Sequence, residues 1–253
     1  MENLNWKKTV LLSLPIVFAV CLAVTLAACM AQAGKGPNDS ALDGVETTDP
    51  SVQVVLPMSS QGLQFKSLGD GSCELIGLGS CSDSEILIPD ESPEGDRVVA
   101  IGDSAFIGVK SLTGVKIPQT VTRIGDYAFY GSSVSVIEIP ADVKSIGECA
   151  FANCASLTAV NVDPANESYC SIDGVLFNKD KSVLILYPSG KSGESYTIRR
   201  GVSSICSAAF LNCHDLKKIV FNGTPSEWEK VKIGANNTTL TAIGISFASQ
   251  SAK

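Results

Sequence analysis

Residues Ile117–Gly131 read IPQTVTRIGDYAFYG, and the same grammar returns on both sides of them. Set on their Ile-Gly step, the copies are VVAIGDSAFIGVKSLTGVKIP from Val98, VTRIGDYAFYGSSVSVIEIP from Val121, VKSIGECAFANCASLTAVNVD from Val143 and VSSICSAAFLNCHDLKKIVFN from Val202. Their isoleucine column is Ile101, Ile124, Ile146 and Ile205, and the Ala-Phe column ends in Phe106, Phe129, Phe151 and Phe210. The first two steps are 23 and 22 residues, a period that signals a solenoid of stacked supersecondary units.

Within a unit, two apolar patterns alternate with turn chemistry. In L-x-x-V-x-I, seen as Leu112, Val115 and Ile117 and again as Leu157, Val160 and Val162, the last two columns lie two residues apart. They therefore point to one side of a strand, and stacked copies predict a parallel sheet with these columns inside. The V-x-x-I pairs, such as Val121 with Ile124, line the opposite wall, and a short helical turn after the glycine carries Ala-Phe inward. The column Asp103, Asp126 and Glu148 allows two readings. Neighbouring coils place carboxylates about 4.8 Å apart, which suits a cation; a carboxylate before a helical turn suits capping, the preferred reading here.

The quoted motifs resemble the BspA-like branch of the leucine-rich repeats, whose units carry I-P, V-x-x-I-G, A-F and a Cys or Asn-Cys before L-x-x-V-x-I. The resemblance covers roughly residues 72–247 and departs in the fourth copy, where Cys206 stands for glycine and Asn222 for proline. It implies a mainly β repeat solenoid: a right-handed leucine-rich repeat coil with a parallel sheet, short helical turns, an inserted β-hairpin and a C-terminal capping helix.

Around the repeats the chain divides by composition. Lys7 and Lys8 precede an uncharged run from Thr9 to Ala28, the pattern of a secretory leader. The run ends in LAAC, Leu26 to Cys29, which resembles a lipobox; the resemblance implies a leader over residues 1–28 and lipid attachment at Cys29. An uncleaved membrane helix is the alternative for a run of this length. Residues 29–62 are rich in Gly, Pro, Ser, Asp and Thr and read as a flexible tether spanning on the order of 30 Å. Residues 63–97 read as an N-terminal cap and first turn. The repeats occupy 98–222, interrupted at 163–198, where the isoleucine step stretches to 59 residues. There Asp173-Gly174 and the Asn178–Lys181 run separate apolar stretches, predicting a hairpin or meander from Val175–Phe177 and Val183–Tyr187. Thr224, Pro225 and Glu227 form a capping-box start to a helix that closes the core with Trp228 and Val231, giving a C-terminal cap over 223–247 and a tail over 248–253.

Of nine cysteines, Cys21 lies in the leader and Cys29 at the lipobox. Cys154 and Cys213 share one repeat column and read as stacked buried thiols; Cys73 and Cys81 can pair if the chain folds back between them; Cys149, Cys170 and Cys206 have no evident partner. No obligatory disulfide framework is expected.

The net charge is −7, or −8 without the leader, which disfavours nucleic acid as a partner. There is no P-loop, dinucleotide fingerprint or catalytic constellation, and a single histidine, His214, leaves nothing with which to build a His-rich metal centre. No enzyme activity, cofactor or metal is expected. The exposed columns of the predicted sheet offer Lys116, Val136, Glu138, Asn161 and Lys218 to a protein or glycan, and Tyr187, Tyr196 and Tyr169 add aromatic contacts from the insertion. The resemblance implies an adhesin-type contact on the outer face of a bacterial envelope, through a membrane-anchored lipoprotein. A passive or scaffolding envelope lipoprotein is the alternative.

Overall fold

Two strands form in every coil because each unit alternates inward and outward residues twice. The computed structural model describes residues 59–248. The leader, Cys29 and all but the last few residues of the tether lie outside the described residues, as does the tail from 249. A hairpin opens the domain, β1 (Gln64–Ser67) pairing antiparallel with β2 (Ser72–Gly77). The V-x-x-I wall then runs in parallel from β2 to β4 (Arg97–Ile101), β6 (Arg123–Ile124) and β8 (Ser145–Ile146). Its L-x-x-V-x-I counterpart pairs β3 (Glu85–Leu87) with β5 (Gly114–Lys116), and β7 (Val136–Ile139) with β9 (Ala159–Val162). Hydroxyls keep this wall in register. Thr113, Ser135 and Thr158 each donate both backbone N–H and side-chain O–H to the carbonyl of the equivalent residue one coil back, as in Thr158 to Ser135 O at 2.9 and 3.0 Å.

Between the walls the phenylalanines stack. Phe106 and Phe129 have ring centroids 5.1 Å apart, Phe129 and Phe151 5.5 Å, with near-parallel planes. The loops that carry them contain no helix: they are tight turns whose second residue after the glycine column is left-handed, Ser104, Tyr127, Cys149 and Ala208. The acidic column also differs from the capping expectation. Asp103 Oδ1 accepts the backbone N–H of Asp126 at 2.9 Å, and Asp126 Oδ1 that of Glu148 at 2.7 Å, so each aspartate staples its coil to the next.

The same closeness explains the glycines. A Cβ on Gly125 would lie 2.4 Å from Asp103 Oδ1 and 2.6 Å from Asp103 N; on Gly147 it would lie 2.3 Å from Asp126 Oδ1. No side chain fits where the preceding coil carries such a turn.

After β9 the pattern breaks as expected, but the inserted chain is not a surface decoration. Strands β10 (Tyr169–Ile172), β11 (Val175–Asn178) and β12 (Val183–Leu186) form an antiparallel meander. Its first turn has Asp173 and Gly174 both at positive φ, 50° and 76°, the geometry Asp-Gly favours. Val175, Leu176 and Phe177 are all buried, because β11 is covered on both faces. Leu176 and Leu186 belong to the core beneath β2–β9, while Val175, Phe177 and Leu184 belong to a second core beyond. The meander is a partition between them. Asn166, fully buried, fixes its root: the side-chain amide donates to Pro140 O and Val143 O, and Oδ1 accepts from the Ser168 and Tyr169 N–H groups, at 2.8 to 3.0 Å.

From β12 the stack resumes. Parallel neighbours β12, β14 (Ser204–Ile205) and β16 (Lys232–Ile233) form one wall; β13 (Ser195–Ile198), β15 (Lys218–Phe221) and β17 (Ser246–Phe247) form the other. Helix α1 (Pro225–Trp228) has the predicted capping box, Thr224 Oγ1 accepting from Glu227 N and Glu227 Oε2 accepting from Thr224 N at 2.9 Å. It is a single turn that lays Trp228 against Phe221 at 5.1 Å, and does not end the fold. One further coil follows through α2 (Thr238–Ile243), whose buried Leu240 packs on the second core. Asn237 ties it down, Oδ1 accepting from Phe210 N at 2.8 Å.

Three measurements check this account. Phe129→Ala should lower unfolding stability by about 3–5 kcal/mol, since it empties the middle of an aromatic stack. Gly125→Ala should cost about 1–3 kcal/mol by overpacking, whereas Cys206→Ala, in the same column, should stay within about 1 kcal/mol of the parent. Asn166→Ala leaves buried backbone groups unpaired at about 1–3 kcal/mol each, and should raise hydrogen exchange at Ser168 and Tyr169 first.

Candidate binding face

The register that stacks the buried columns also aligns the exposed ones. Lys116, Glu138 and Asn161 occupy equivalent outward positions on β5, β7 and β9, with Glu138 directly paired to Asn161 across the ladder. All three are exposed and line a groove of about 320 Å³ with Gln119, Pro140 and Asp163. Val136, also exposed, stands two residues before Glu138 on the same strand face. A cation, an anion and an amide in one row provide donors and acceptors of both signs on a fixed scaffold, which is the chemistry of a polar contact rather than of an apolar pocket. Thr113, Ser135 and Thr158 contribute less than their exposure suggests, because their hydroxyls are engaged by the preceding coil.

The other predicted contacts scatter. Lys218 is exposed on β15, in a different sheet beyond the partition, beside Lys217, which pairs with Glu194. Tyr187 is not a ligand-facing residue. It is 2% exposed, stacks on Phe210 at 5.4 Å and meets Tyr196 edge-on at 4.9 Å. Its backbone N–H donates to Ala209 O, the bond that Phe106 makes to Ala128 O and Phe129 to Ala150 O. Tyr187 is thus the phenylalanine of its coil, and burial pushes its phenol up to about 12. Burial likewise raises Tyr196.

Tyr169 leads to a feature the motifs did not announce. Isoleucine-to-phenylalanine spacing is five residues in the regular coils, but Leu184 to Tyr187 is three. The coil containing β12 therefore lacks the glycine turn, and the turns of its neighbours face each other across the gap. A cleft of about 550 Å³ opens there, lined by Ile146, Cys149, Tyr169, Ile185, Cys206 and Lys232 among others. Ile146 and Gly147 are half-buried where Ile124 and Gly125 are buried. The Ile146 N–H donates to the Tyr169 hydroxyl at 2.9 Å in place of a further wall strand. Asn212 Nδ2 donates to Asn153 Oδ1 at 2.8 Å, a direct link between coils on either side of the short one.

The cysteines are all free thiols among the described residues, Cys73 and Cys81 included. Cys154 and Cys213 are buried in their shared column, Cys154 Sγ donating to Phe129 O at 3.0 Å. Burial pushes the Cys213 thiol up to about 12. His214 is an exposed loop side chain. Among the described residues no three His, Cys, Asp or Glu side chains gather as a metal site, and no helix is long and apolar enough to cross a membrane.

The family described as the BspA type leucine rich repeat region, in 6 copies, matches residues 80–189 and 187–246. Among solved structures, the pneumococcal vaccine antigen PcpA is similar at 34% identity and a TM-score of 0.52, over 60% of this chain. The chain spans about a third, 35%, of the length of that protein. A leucine-rich cell surface protein of Faecalibacterium prausnitzii shares 21% identity at a TM-score of 0.44, covering 71% of this chain and 73% of its own. A leucine-rich repeat protein of Eubacterium ventriosum shares 20% at 0.44, covering 76% and 71%. No curated protein matches the sequence at a significant level.

Replacing Tyr187 by Ala should behave as a core truncation, lowering stability by about 3–5 kcal/mol, and leave any ligand affinity per folded molecule unchanged; Tyr187→Phe should be nearly silent in both assays.

Proposed function

The chain belongs to the BspA-type leucine-rich repeat family, and on that premise we propose that it is a surface-displayed binding protein, tethered through a lipid on Cys29, that makes an adhesin-type contact with a protein or glycan of a host or bacterial surface. The observation that carries this reading is the aligned row Lys116, Glu138 and Asn161, exposed side by side on β5, β7 and β9 over a groove of mixed polar and apolar lining. Register fixes the backbone beneath the row, so a partner has only side chains to order, and that preorganisation helps a small patch bind. The family's repeats serve protein interaction, which supports a binding role for the exposed columns of this chain. The contact is short, so avidity across many copies on one cell supplies strength that a single copy lacks.

A secreted form beginning after residue 28 tests the reading in pull-downs against matrix and bacterial surface proteins and glycans. Paired charge reversals, Lys116→Glu with Glu138→Lys, should weaken capture at least tenfold, while Lys218→Glu should have a smaller effect because it lies in another sheet. Capture indifferent to the first pair removes this face from contention, and no capture at all favours a scaffolding lipoprotein. Metabolic labelling with a palmitate analogue should mark the full chain and not Cys29→Ser.

A further inference from the structure

The seam at the short coil carries two sulphurs that the repeat pattern does not require. Cys149 stands where Ser104 and Tyr127 stand in earlier coils, and Cys206 where Gly102, Gly125 and Gly147 stand. At Gly125 and Gly147 a Cβ would point straight at the preceding coil's turn, within 2.4 Å of it. The coil before Cys206 has no such turn, so the Cys206 side chain enters the space that the turn would fill. Glycine returns at Gly234, where the preceding turn is present again and a Cβ would lie 2.4 Å from Ser207 N.

Across that space lies the turn carrying Cys149. Its Sγ is 3.7 Å from the carbonyl oxygen of Ser207, the residue next to Cys206. Both cysteines line the one cleft, and both are half-buried, unlike the sealed Cys154 and Cys213. The two turns are held at this separation by the Asn153–Asn212 hydrogen bond and by Ala208, which packs into the first core with Phe151. We propose that Cys149 and Cys206 form a dithiol site that takes a low-molecular-weight disulfide as its oxidant and closes into a protein disulfide clamping the two stacks across the cleft.

One cysteine thiolate attacks a sulphur of the small disulfide, forming a mixed disulfide and releasing one small thiolate. The second cysteine, having lost its proton to solvent, then attacks the protein sulphur and releases the second. The protein gives up two electrons and two protons, and one small disulfide becomes two thiols. Burial, and secondarily the Glu148 carboxylate, push both thiols above their ordinary range, so exchange is slow at neutral pH and faster in mildly alkaline buffer. An extracellular, oxidising setting is where such a bond persists.

The test uses the full chain, purified reduced and then held with excess oxidised glutathione in mildly alkaline buffer. Digestion with trypsin and chymotrypsin follows, since cuts at Phe151 and Phe210 separate Cys149 from Cys154 and Cys206 from Cys213. The expected product is a Cys149–Cys206 linked peptide two hydrogens lighter than its parts, with a rise of several degrees in Tm that dithiothreitol reverses. Cys170→Ser should retain both effects and Cys206→Ser should lose both; should the latter fail to fold, the map of the unmutated chain still decides. Glutathione remaining as a stable adduct, pairing of either cysteine with Cys154 or Cys170, or no loss of thiols would overturn the proposal.

Discussion

Coils in this molecule sit one strand spacing apart, about 4.8 Å, and nearly every other feature answers to that distance. Backbone bonds such as Gly125 N–H to Ile101 O, 2.8 Å, impose it, and it repeats at Gly147 to Ile124 O. At such a separation a glycine's missing side chain is a steric requirement, an aspartate reaches the next coil's amide without bending, and phenylalanine rings fall into offset contact. Side-chain chemistry is copied from coil to coil because the backbone geometry is copied. The family grammar is therefore a statement about close approach as much as about hydrophobicity.

Where the copying stops, the structure changes character. The β10–β12 meander separates two hydrophobic cores and is buried on both sides of β11, so it is integral to both stacks. The coil it leads into is shortened by the two residues that would have formed its turn. Loss of those residues relaxes the steric demand at one position, and that position is Cys206. The departure from the repeat consensus and the cleft are thus one event seen from two sides. The same shortening leaves the Cys149 and Phe151 N–H groups without the carbonyl partners that their counterparts at Tyr127 and Phe129 have, among the described residues.

Much of this was legible in the residues. The isoleucine and phenylalanine columns, the capping box at Thr224 and the Asp173-Gly174 turn each rest on local chemistry that tertiary context does not override. The acidic column was misread because capping and inter-coil stapling call for the same residue; only the facing backbone distinguishes them. Tyr187 was misread because an aromatic inside an apparent insertion suggests a contact. Its distance to Phe210, however, is 23 residues, the repeat's own step. That spacing was available and marked it as a core ring. The row Lys116, Glu138 and Asn161 followed from the period, whereas Lys218 was separated from it by a partition that no exposed-column pattern encodes.

The shortened coil also constrains how this protein can grow. A duplicated unit placed between β6 and β8 would arrive with a glycine already facing a turn and an aspartate already facing an amide, so arrays of this kind lengthen easily within a stack. The same unit placed just ahead of β14 would press its turn against Cys206, whose side chain has no retreat. Lineages that expand such arrays should therefore vary the number of units on either side of the joint and leave the joint itself a single, fixed landmark.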